Sequence, residues 1–268
     1  MRAGRPSFLA VAIAIALTLP SRASAAERLT DEQVKKLIED IEGGYQTWKK
    51  DLEKQNLDDA VITSAERTVK VKDFLKDFDK AIDVLKGRFE SDHAASMEAM
   101  ALLRRGSDVA LRNRRQNLTP GSAWTALEAK LQALAQAYGV GWPVESMNVQ
   151  AARLNDGELA AKVAGMEAAA KQLQGDAERA AKANKAIDKA ARESLKGEIK
   201  GLGLKAKDVR TRLKDDRPAS VEVGQLFAQT TKVRQTLATL SLPATGASWT
   251  AIDAGNEALS RAFSLPRP

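Results

Sequence analysis

The chain has 268 residues, of which 29% are charged and 4% aromatic, and its formal net charge is +7. It has no cysteine and a single histidine, His93, which excludes disulfides, cysteine nucleophiles and histidine-rich metal sites. Abundant alanine and charge, few aromatic residues and few prolines predict a mostly helical protein.

The first 25 residues are typical of a cleaved signal peptide. Arg2 and Arg5 precede an apolar run from Phe8 to Leu19, and Ala23-Ser24-Ala25 supplies the small residues that signal peptidase requires. That run is too short for a helix to cross a hydrocarbon core of about 30 Å. We therefore expect residues 1–25 to be removed and the protein to be periplasmic or secreted, without the cysteine of a lipoprotein.

Loss of this segment would also lower the charge of the protein. Arg2, Arg5 and Arg22 leave with it, so that 39 of the 42 basic residues remain against 35 acidic ones, a net charge of +4. The remaining chain is longer than a common single domain, which favours two domains.

Apolar residues in the first half of the chain recur at steps of three and four, the spacing of a buried helix face. Four such series predict four amphipathic helices, which can bury these faces only against one another, as in an antiparallel four-helix bundle. The series are Val34, Leu37 or Ile38, Ile41, Tyr45, Trp48 and Leu52; Val71, Leu75, Phe78, Ile82, Leu85 and Phe89; Ala99, Leu102 and Val109; and Trp124, Leu127, Leu131, Leu134 and Tyr138.

A possible metal motif lies between the second and third series. Glu90 and His93 form a Glu-x-x-His sequence, the spacing with which some four-helix bundles hold two iron ions. Such a site needs a second copy, and the second half has Lys214 and Arg217 at the matching positions. Met97 lies one turn from His93 on the same helix, so the two cannot bind a haem iron from opposite sides. We therefore predict no metal site and no cofactor.

The strongest local charge lies on the third predicted helix. Arg105, Asp108, Arg112 and Arg115 follow one another at steps of three, four and three, and Arg104 adjoins them. Guanidinium groups suit phosphate and carboxylate groups, so this arginine stripe (Arg104, Arg105, Arg112 and Arg115) is a hypothetical binding site for an anionic polymer, a lipid head group or a protein. The alternative is a solubilising face that Asp108 partly neutralises. No aromatic residues are interleaved, which argues against nucleic acid.

The second half of the chain repeats the first. The stretch Gly121–Tyr138 returns as Gly246–Phe263, and Trp124 matches Trp249 at an offset of 125. The apolar series return with closely similar steps. They are Leu159, Val163, Met166, Ala170, Leu173 and Ala177; Leu195, Ile199, Leu202, Ala206, Val209 and Leu213; Val223, Leu226, Val233 and Leu237; and Trp249, Ile252, Asn256, Leu259 and Phe263.

Candidate helix starts agree with this division. Segments that begin at Arg88 and Arg212 match at an offset of 124, which places Asp92 and Asp216 at equivalent positions where an N-cap is expected. Thr119-Pro120 is predicted to start the fourth helix, with threonine as the N-cap and proline at the first helical position.

Two polar positions leave alternatives open. The alanine-rich and charged segment around Asn184 has no glycine or proline, so it could be a helical hairpin or one long helix. Asn256 stands where the first half has Leu131, and it could specify helix register or mark a hydrated position.

These patterns predict an all-α protein made by tandem duplication of an antiparallel four-helix bundle. The expected units are residues 27–143 and 156–265, joined by a linker at 144–155. We expect an exported, non-enzymatic protein that acts by binding or scaffolding, through a protein partner, self-association by coiled-coil-like faces or an anionic partner. The alternative is a carrier that holds a small apolar ligand in a bundle core.

Overall fold

The computed structural model describes residues 28–57, 60–63, 68–89, 93–146, 148–243 and 246–268, so the predicted signal peptide at 1–25 lies outside the described residues. Within these ranges the protein is all-α, with eight helices and one short β-hairpin. No helix in this part of the chain is long and apolar enough to cross a membrane. The elements are α1 (Asp31–Lys54), β1 (Val61–Thr63), β2 (Thr68–Lys70), α2 (Val71–Phe89), α3 (Ser96–Arg115), α4 (Ser122–Ala137), α5 (Asp156–Ala183), α6 (Lys189–Lys214), α7 (Ser220–Thr239) and α8 (Ala247–Phe263).

The buried apolar side chains form two separate clusters. One is built from α1 to α4 and the other from α5 to α8. Every residue in the predicted apolar series is buried, except Leu37 and Leu52, which are partly buried. Burying one such leucine, isoleucine or phenylalanine side chain stabilises the fold by about 1.5–3 kcal/mol, so these faces decide how the helices pack.

The segment after α4 packs against the first cluster. Val140 and Val144 are buried there, and Ser107 on α3 accepts a hydrogen bond from the Val144 amide at 2.8 Å. Trp142 lies over Gly106, where a Cβ atom would come within 2.8 Å of the indole. A glycine is therefore required at this point of α3, so that the segment after α4 can pack closely against the helix.

The β-hairpin between α1 and α2 was not predicted. Val61 pairs with Lys70, and Thr63 pairs with Thr68, in an antiparallel ladder. The two strands have three residues each, too few for a two-residue periodicity to be visible in the sequence.

Two predicted helix starts are wrong, and a third, Asp92, lies outside the described residues. Helix α4 begins two residues after the Thr119-Pro120 pair, with Gly121 as its N-cap. Asp216 adopts a left-handed conformation with φ 49°, and α7 begins at Ser220 with no side-chain cap. The cause is Pro218, because proline disfavours a helical conformation in the residue before it, which delays the helix start.

The segment around Asn184 is a helical hairpin. Helix α5 ends at Ala183, and α6 begins at Lys189 after a short turn. Asp188 caps α6, because its carboxylate accepts a hydrogen bond from the Ala191 amide at 2.7 Å. This resolves the alternative between a hairpin and one long helix.

Asn256 is fully buried, and neither polar atom of its side chain has a hydrogen-bond partner within the described chain. A buried amide without partners costs about 1–3 kcal/mol, so we expect Asn256→Leu to raise the free energy of unfolding by about that amount. Leu131 occupies the equivalent position and is also fully buried, so Leu131→Asn should lower stability. Urea denaturation followed by circular dichroism measures both changes. A destabilised Asn256→Leu variant would mean that the amide holds a structural water.

Candidate functional site: a cleft between the two halves

Helices α1 and α5 begin with the same short sequence. Arg28-Leu29-Thr30-Asp31 and Arg153-Leu154-Asn155-Asp156 match at an offset of 125. Thr30 and Asn155 are the N-caps of the two helices, and each forms a capping box with the side chain three residues later. The repeat extends upstream of the apolar series and was missed by the sequence analysis.

The two copies bind each other reciprocally. The Asp31 amide donates to Asp156 Oδ2 at 2.8 Å, and the Asp156 amide donates to Asp31 Oδ2 at 2.6 Å. Arg153 Nη2 donates to Asp31 Oδ1 at 2.7 Å and to the Leu29 carbonyl at 2.9 Å. Arg28 donates in the same way to Asp156 and, at 2.8 Å, to the Leu154 carbonyl. These contacts are related by an approximate two-fold axis, and we call Arg28, Asp31, Arg153 and Asp156 the clasp.

The clasp is largely removed from water. The side chains of Arg28 and Asp156 are each 5% exposed, and that of Arg153 is 2% exposed. Burial, and then the neighbouring Arg153, lowers the pKa of Arg28. Its guanidinium carbon lies 5.6 Å from the ring centroid of Phe263, the last residue of α8, so a cation–π contact also joins the two halves.

A cleft of about 480 Å³ lies beside the clasp. Its lining contains several residues from the first half together with their partners at an offset of 125 in the second, so the approximate two-fold axis passes through it. These pairs are Arg28 with Arg153, Gln136 with Arg261, Ala137 with Ala262, and Gly139 with Ser264.

Helix α8 forms one wall of the cleft. It lies close to α5 at Gly255, where a Cβ atom would come within 2.2 Å of Met166 Cγ. Ala254 and Ala258, on either side of this glycine, line the cleft with small apolar surfaces. The C-terminal ends of α4 and α8 thus both line this cleft, although they are far apart in the sequence.

The charged groups in the cleft break its symmetry. Lys162, Glu257 and Arg261 line it, and all three belong to the second half. Leucine, glutamine and glutamine occupy the equivalent positions 37, 132 and 136 of the first half. Glu257 pairs with Arg261 and lies 3.6 Å from Arg267, whereas Lys162 has no ion pair within the described residues. Apart from the paired Arg28, the first half therefore contributes uncharged side chains to the cleft, while the second half adds an unpaired lysine.

Arg153 has unused hydrogen-bonding capacity. Its Nε and Nη1 atoms are buried and have no acceptor in the part of the chain that the structure describes, and the residue borders the cleft. Buried donors of this kind are uncommon in native proteins, although the Nε atoms of Arg105 and Arg210, away from the cleft, share the property. The sequence alone gave no sign of this arginine, because the signal is its pairing with Asp31 across the two halves.

The arginine stripe lies elsewhere. Arg104 donates to the Val149 carbonyl at 3.4 Å, and Arg105 donates to the Ala101 carbonyl at 2.8 Å. Arg112 is half-buried and Arg115 is exposed near the end of α3. None of the four lines the cleft, so their binding of an anionic partner stays a prediction.

Replacement of Arg105, Arg112 and Arg115 by glutamine tests that prediction. If the stripe binds polyanions, the variant elutes from heparin resin at lower salt than wild type. With fewer arginine contacts, binding to heparin releases fewer counterions and is therefore weaker. A control with Lys171, Lys185 and Lys200 replaced by glutamine loses the same charge elsewhere. If the two triple variants elute at the same salt concentration, the stripe is a solubilising surface and not a specific site for anions.

The candidate metal motif is only partly described. His93 is exposed before the start of α3, whereas Glu90 and Asp92 lie outside the described residues. Within the described ranges, no group of three histidine, aspartate or glutamate side chains is placed to hold a metal ion.

Comparison of the chain with protein families, curated proteins and solved structures gives no match. Function must therefore be inferred from the chemistry of the cleft itself. A concave site of this volume with a small number of polar groups is suited to binding a molecule of low mass.

Proposed function

We propose that the chain is a tandem duplication of a four-helix unit, with units at 27–143 and 156–265 and a connection at 144–155. Equivalent apolar series are buried in two separate clusters, which supports this division. Equivalent ion pairs support it as well, because Arg88 contacts Glu98 at 3.4 Å and Arg212 contacts Glu222 at 2.7 Å.

We further propose an exported, non-enzymatic binding protein whose ligand occupies the cleft between the units. Export rests on the signal-like residues 1–25. The observation that carries the binding function is the 480 Å³ cleft on the approximate two-fold axis, lined by the buried Arg153 with two donors unused.

This geometry favours a carrier over a scaffold. The cavity lies between the two apolar clusters and is lined by four cations, so a purely apolar ligand inside a bundle core is not the best fit. A protein partner or self-association is the competing proposal, and the same experiment distinguishes it.

Native mass spectrometry of the full-length protein purified from its source organism tests the function. We expect a small-molecule adduct that is lost in Ala254→Trp, because Ala254 is exposed in the cleft and the indole would fill it. Ala251→Trp is the matched control, since Ala251 is exposed on α8 but does not line the cleft. An adduct that persists in Ala254→Trp, or a protein oligomer without adduct, would contradict the carrier.

A further inference from the structure

We propose that the cleft takes a small amphipathic carboxylate, with its carboxylate at Lys162 and Arg261 and its apolar body on the alanine surface of α8. This inference rests on the proposed binding function and names the class of ligand.

The charge balance around the cleft indicates an anionic ligand. Four cations line it, and three of them have a carboxylate partner: Arg28 pairs with Asp156, Arg153 with Asp31, and Arg261 with Glu257. Glu257 also lies 3.6 Å from Arg267, and Lys162 has no carboxylate partner among the described residues. The protein therefore does not fully neutralise these cations, and a carboxylate in the cleft would balance part of the excess.

The apolar surface indicates the rest of the ligand. Ala137, Leu154, Ala254, Ala258 and Ala262 line the cleft, and none of them offers a side-chain hydrogen bond. Short side chains leave room between the walls, so the volume is available to a hydrocarbon body and not filled by the protein. Burial of that body supplies affinity in proportion to the apolar area removed from water.

The broken symmetry sets the orientation of the ligand. The ends of α4 and α8 both line the cleft, yet Lys162 and Arg261 have neutral residues, Leu37 and Gln136, at their equivalent positions. A molecule that is charged at one end and apolar at the other fits such a site in one direction. The carboxylate lies at Lys162 and Arg261, and the body extends along the alanine surface of α8 towards the end of α4.

Arg153 retains unused hydrogen-bonding capacity beneath the surface of the cleft. Guanidinium groups pair with carboxylates through two parallel hydrogen bonds, and Arg153 uses only Nη2 for Asp31 and Leu29. Its Nε and Nη1 atoms have no acceptor in the described chain and almost no accessible surface. The cations of the cleft that are open to a ligand are therefore Lys162 and Arg261, which are both exposed.

Three probes with the same eight-carbon chain test the ligand class on the full-length protein. Isothermal titration calorimetry compares octanoate, 1-octanol and octylammonium. We expect octanoate to bind at least about tenfold more tightly than the other two, the size of effect typical of one charge-assisted hydrogen bond. Equal binding of all three probes would overturn the carboxylate assignment, and so would preference for octylammonium.

Variants that restore the symmetry test the orientation. Lys162→Leu and Arg261→Gln introduce the residue types found at the equivalent positions of the first half, and both sites are exposed. Each should weaken octanoate binding about tenfold and leave 1-octanol binding unchanged. Lys171→Leu, on the same helix but outside the cleft, should change neither.

The outcomes separate this inference from the proposed function. Loss of the native adduct in Ala254→Trp, combined with unchanged octanoate binding in Lys162→Leu, would overturn the carboxylate and keep the cleft as a binding site. An adduct retained in Ala254→Trp would show that the cleft is not the binding site, which would overturn the proposed function and this inference together.

Discussion

Asp156→Ala is expected to lower the free energy of unfolding by about 3–5 kcal/mol, the cost typical of breaking a buried ion pair. Asp156 accepts from Arg28 and from the Asp31 amide, and its own side chain is 5% exposed. Its loss leaves the Arg28 guanidinium, equally buried, with only the more distant carboxylate of Asp31 at 3.9 Å. Guanidinium chloride denaturation of the full-length protein, followed by circular dichroism, measures the change.

Two variants control for this result. Asp176→Ala removes a carboxylate from an exposed pair with Arg179, whose side chain is 80% exposed, and should cost at most about 1 kcal/mol. The double variant Arg28→Met with Asp156→Leu replaces the buried pair by apolar groups and should recover much of the lost stability. A cost for Asp156→Ala no larger than that for Asp176→Ala would show that the clasp does not hold the halves together.

Trp124→Ala is expected to destabilise the proposed first unit alone, whose core is the apolar cluster of α1 to α4, by about 3–5 kcal/mol. The Trp124 ring lies 4.9 Å from that of Trp48 between ring centroids, and its indole nitrogen donates to Glu128 at 2.9 Å. Differential scanning calorimetry should resolve an early transition for this unit from a later one close to the wild-type temperature. The two apolar clusters are separate, so the second core does not lose contacts.

Trp249→Ala is the matched variant in the second unit. It should lower the transition temperature of the second unit and leave that of the first close to the wild-type value. Trp249 is 5% exposed and lies at the equivalent position. A single transition that both variants shift equally would mean that the chain unfolds as one cooperative body, and the two-unit proposal would lose its main support.

The equivalent tryptophans have different partners, which shows what repetition in sequence does and does not imply. Glu128 bridges Trp124 and Trp142, accepting from the second indole at 3.2 Å. Asp253 takes the place of Glu128 and accepts instead from Arg234, which lies 5.3 Å above the Trp249 ring. Both positions hold a buried tryptophan, while the polar contacts around them differ.

Some features could not be predicted because their signal is short or non-local. The hairpin strands have three residues each, and Pro218 shifted a helix start that local capping rules had placed at Asp216. The repeated Arg-Leu-x-Asp sequence is visible once the offset of 125 is extended upstream, but nothing in it says that each copy binds the other. Reciprocal binding depends on how two helix starts are placed in space.

Helical class, helix faces and the buried residues follow from the sequence by itself, because the apolar spacing of three and four residues is a local consequence of helix geometry. The cleft and its chemistry were decided only by the tertiary structure. Arg28, Arg153, Lys162 and Arg261 come together because the clasp docks one half on the other, bringing residues more than a hundred positions apart to one site. Periodicity specifies which face of a helix is buried, but long-range docking depends on a few polar contacts that no periodic pattern encodes.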